Sequence, residues 1–110
     1  MTLNTISQVI QLLKSWSLAH YADIMEIILV GSQSKLRDCD SLRQDSDFDI
    51  IVVIQDTSNV EAVLSDLVAI AVKESIFFHP LIMTKSELKE KLEILHYRTM
   101  LASGRRIFPQ

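Results

Sequence analysis

The sequence is poor in residues that restrain a chain covalently or conformationally. It has one cysteine, Cys39. A single thiol excludes an internal disulfide and a cysteine-cluster zinc site, and it fits a reducing cytoplasm. Two prolines and two glycines, beside 48% hydrophobic and 23% charged residues, exclude a disordered chain. No apolar run approaches the roughly 20 residues that span a bilayer. The opening Met1-Thr2-Leu3-Asn4 lacks the basic start and apolar block of a secretory signal. Basic charge is also short. Eleven Lys and Arg against 14 Asp and Glu leave a net charge of −3. That offers no broad footprint for nucleic acid and counts against a stand-alone polymerase or a tight DNA binder.

What remains is a globular composition on 110 residues, read as one domain over 1–110. A chain of this length buries roughly 60–70% of its unfolded surface, enough for an ordinary core.

The chain is organised around residues 24–54. An apolar run from Ile24 to Val30 ends at Gly31-Ser32, and a polar loop spans residues 33–46. Asp47-Phe48-Asp49 then leads into a second apolar run, Ile50-Ile51-Val52-Val53-Ile54. In a strand, alternate side chains share a face, so Asp47 and Asp49 point the same way. Two carboxylates on a greasy strand are costly to place, and a divalent cation relieves that cost. Magnesium suits them, because it takes oxygen ligands from one or two carboxylates and from substrate phosphates. Gly31 lets backbone approach a ligand closely, and turn amides with the Ser32 hydroxyl can hold phosphate. Lys35, just beyond, is a further phosphate candidate. The bland reading of Asp47 and Asp49 is a turn that ends in a strand.

Val30-Gly31-Ser32 together with Ser46-Asp47-Phe48-Asp49-Ile50-Ile51-Val52 resembles the signature of the DNA-polymerase-β-like nucleotidyltransferase superfamily. The short chain looks like its minimal nucleotidyltransferase (MNT) group. The resemblance implies that Gly31 and Ser32 bind the triphosphate, with Lys35 beside them. It implies that Asp47 and Asp49 hold Mg2+ and are the catalytic pair. The reaction would be nucleotidyl transfer, with AMP passing from ATP to a protein acceptor. MNT proteins often act as the antitoxin half of a module with a helical HEPN partner, so the expected partners are a HEPN-type protein or a second copy. The expected location is the cytoplasm. The alternative is a weakened nucleotidyltransferase fold that neutralises a partner by contact. This sequence departs from the family pattern in three ways. The second glycine after Gly31-Ser32 is absent. The loop before Asp47 is long. No carboxylate appears on the third strand, where His79 stands about where the third acid belongs. His79 reads either as an imidazole ligand, better suited to zinc or manganese, or as an ordinary edge-strand histidine.

The remaining elements follow from periodicity. Ile6, Val9, Ile10, Leu13 and Trp16 predict a helix over residues 5–20, opened by the capping-box spacing Thr5-Ile6-Ser7-Gln8. Ile24–Val30 is too apolar for one-sided burial and should be central. Residues 34–37 can form a short helix. Ser58-Asn59-Val60-Glu61 reads as a capping box opening a helix that ends near Ser75, with Val60, Val63, Leu64, Leu67, Val68 and Ala71 on one face. Residues 76–83 read as a third strand, and Pro80 favours an edge. Thr84-Lys85-Ser86-Glu87 caps a last helix running to about Ser103, with Gly104 as its C-cap. Leu88, Leu92, Leu95 and Ala102 are its core stripe. Ile94, Tyr97, Met100 and Leu101 lie outside that stripe and read as a contact surface. Residues 105–108 form a tail. The predicted fold is α/β (α+β), a small mixed β-sheet packed by helices in the order α-β-(α)-β-α-β-α. The second and third strands are parallel.

Overall fold

A computed structural model of the chain describes residues 5–20, 24–31, 48–55 and 59–109. Helix α1 (Ile6–His20) is followed by strands β1 (Ile24–Val30) and β2 (Phe48–Ile54). Helix α2 (Val60–Glu74) leads to strand β3 (Phe78–Thr84). Helices α3 (Lys85–Lys91) and α4 (Leu95–Ala102) and strand β4 (Arg105–Phe108) complete the order. The sheet runs β3-β2-β1-β4. β1 is antiparallel to both β2 and β4, and β2 is parallel to β3. The small mixed sheet, the β2-α2-β3 crossover, the central β1 and the edge position of Pro80 all follow the sequence reading. The short helix expected at residues 34–37 lies outside the described residues. No helix among the described residues is long and apolar enough to cross a membrane.

β2 is buried at every position except Asp49. Phe48, Ile50, Val52 and Ile54 face α1 and α2, in a core with Ile6, Leu13, Trp16, Val63 and Leu67. Ile51 and Val53 face the other way, with Val30 and Met83, beneath Leu88, Met100 and Leu101 of α3 and α4. Strand alternation thus sends one apolar run into two separate cores. A bulge between Ile24 and Glu26 resets β1, so that Ile24, Ile27 and Leu29 all join the first core.

The caps are mixed. Thr5 and Gln8 bond reciprocally, Thr5 N–H to Gln8 Oε1 at 3.1 Å and Gln8 N–H to Thr5 Oγ1 at 3.4 Å. Thr84 and Glu87 do the same at 3.0 and 3.2 Å. The expected box at residues 58–61 is not the cap of α2. Asn59 is its N-cap and makes no side-chain capping bond, and Ser58 lies outside the described residues. The predicted stripe of α2 is also too wide: Val63 and Leu67 are buried, whereas Leu64 and Val68 are exposed.

The C-terminal third departs furthest from expectation. The predicted single helix breaks at Leu92-Glu93-Ile94, where Glu93 and Ile94 bond three residues back, to Glu90 and Lys91. Leu88 and Met100 are twelve residues apart, so on one straight helix they would point about 120° apart. The break lets both reach the second core. It also turns Leu95 and Ala102, expected inside, out to solvent. The tail becomes β4, with Ile107 buried against the first core. Gly104 is not a left-handed cap. Its own value is room: a Cβ there would come within 3.0 Å of Val30 Cγ1 and 3.1 Å of Ile28 Cγ2.

α2 ends on Ser75, which is left-handed at φ 57° and ψ 41°. The Ser75 and Ile76 amides both donate to the Ala71 carbonyl, so the chain is held in that turn. A residue with a Cβ is strained there by about 1–2 kcal/mol, and glycine is not. Ser75→Gly should therefore stabilise the fold by about 0.5–1 kcal/mol after its extra chain entropy is deducted. The check is a higher urea midpoint with an unchanged m value.

Candidate functional site

Asp49 is the second residue of β2. In register it pairs with Val30 of β1 on one side and His79 of β3 on the other. All three side chains share the face that carries the second core, at the rim where β1 ends and β2 and β3 begin. From the opposite face Phe48 holds this rim together. Its amide donates to the Phe77 carbonyl at 2.7 Å, and its ring lies 6.1 Å from that of Phe78 at a 56° tilt.

Asp49 Oδ1 lies 3.0 Å from His79 Nδ1. A carboxylate accepts, so Nδ1 carries the proton and Nε2 is left as the reactive nitrogen of the neutral ring. Both groups reach solvent, with side-chain exposures of 65% for His79 and 38% for Asp49. The pair contributes at most about 1 kcal/mol to stability. Its importance is one of placement. The carboxylate orients the ring, as a carboxylate behind a metal-bound histidine does.

Asp49 Oδ2 sits in a notch that only glycine leaves open. Gly31 follows β1 at φ +76°, and a Cβ on it would fall 2.5 Å from Oδ2. The two ends predicted to form one site, the glycine-ended strand and the acid-bearing strand, are therefore in contact through Gly31 and Asp49. His79 joins them from β3. What the sequence did not reveal is its direct contact with Asp49, which depends on the register of β3 against β2. Ser32, Lys35 and Asp47 lie outside the described residues.

Among the described residues no three His, Cys, Asp or Glu gather as a metal group. Asp49 and His79 supply two donors. One is an oxygen donor and the other an imidazole nitrogen, and the imidazole suits zinc or manganese better than magnesium. Glu87 is at the far end of β3, where it accepts the Thr84 amide. On the last helices, Met100 and Leu101 pack on the second core, which corrects their reading as outer surface. Tyr97 is half-buried, under the Lys91 ammonium at 5.3 Å from its ring centre. Ile94 and Leu95 are exposed.

Comparison with family models, with curated proteins and with solved structures finds no match.

The notch gives a test that requires no substrate. Gly31→Ala adds left-handed strain and a clash with Asp49, and should cost about 1–3 kcal/mol in urea unfolding. In an Asp49→Ala background part of that cost should disappear, giving a coupling of about 1 kcal/mol in a double-mutant cycle. Strict additivity would show that the glycine and the carboxylate do not press on each other.

Proposed function

We propose that this chain is a magnesium-dependent nucleotidyltransferase that passes AMP from ATP to a protein acceptor, as the MNT antitoxin half of a HEPN/MNT-type module. The observation that supports the reading is the joining of Gly31, Asp49 and His79 at one sheet rim, from three distant parts of the chain. A turn acid that merely began a strand would have no reason to sit in a glycine notch with an oriented imidazole beside it.

In this reading Asp49, with Asp47, holds Mg2+, and Gly31, Ser32 and Lys35 receive the triphosphate. The bound ion supplies charge neutralisation to the phosphates. His79 takes the part of the missing third acid. The acceptor hydroxyl gives its proton to Nε2, its oxygen bonds to the α-phosphorus, and the bond from that phosphorus to pyrophosphate breaks. Asp49 Oδ1 stabilises the imidazolium so formed, through the Nδ1 proton.

A second reading keeps the fold but not the reaction: a binding module that neutralises its partner by contact. The lack of a carboxylate on β3 favours it.

The two readings differ under α-labelled ATP, magnesium and a co-expressed helical partner. For an enzyme, Asp49→Asn abolishes magnesium-dependent ATP binding. His79→Ala retains that binding and lowers label transfer by about 10²-fold or more. Equilibrium dialysis and label incorporation read the two effects separately. Wild type that binds ATP no better than Asp49→Asn leaves the contact reading in its place.

A further inference from the structure

We draw no further inference here: the strongest candidate, the exposed apolar ridge of Leu64, Val68 and Val72 on α2 with the open hollow between that helix and the start of β3, carries nothing because nothing in the structure shows what covers it.

Discussion

The structure depends on one constraint, the burial of β2 on both faces. A strand that exposes almost nothing needs a neighbour on each side and a layer above and below. β1 and β3 supply the hydrogen-bonding neighbours, α1 and α2 one layer, and α3 and α4 the other. Trp16 Nε1 reaches Asp66 Oδ2 at 3.3 Å and ties the first layer across its two helices. Asp49 is the one position in β2 that escapes this enclosure. A carboxylate can begin such a strand only where the layers end, and that is also where solvent can reach it.

Much of this was legible because local and global signals agreed. The aliphatic runs, the helical spacing in α1, the Thr5 and Thr84 boxes and Pro80 each pointed to the element that formed. The Gly31–Asp49 contact was legible for a similar reason: a strand that ends in glycine and a strand that begins with acid share a rim once they pair antiparallel. The failures lie where packing outweighs local pattern. Nothing in Leu92-Glu93-Ile94 announces a break, since it contains neither proline nor glycine. The break follows from the need for Leu88 and Met100 to reach one surface. β4 has four residues, too few for a period to register, and it is a strand because β1 offers it an edge. Gly104 looked like a conformational glycine and is a spatial one.

The Asp49–His79 pair illustrates how a departure from an expected pattern can be read. A histidine where the resemblance expects a third acid would weaken a site built on metal ligands alone. Beside a carboxylate at 3.0 Å it becomes a ring with a defined tautomer and a free nitrogen. That chemistry can move a proton, which an isolated edge-strand histidine has no special means to do. The register of β3 therefore decides the chemistry of the pair as directly as the identity of the residue.

Thr84 is at once the last residue of β3 and the N-cap of α3. No linker separates sheet from helix, so the junction works as a gear with no backlash. The register of β3 fixes the rotational phase of α3, and through it the direction of Leu88. A single residue inserted at this point would turn the helix by about 100° while leaving the sheet untouched. The second core would then lose its lid without losing a single hydrogen bond of its floor. Chain length at Thr84 is thus under tighter constraint than its side chain, although only the side chain makes a visible contact.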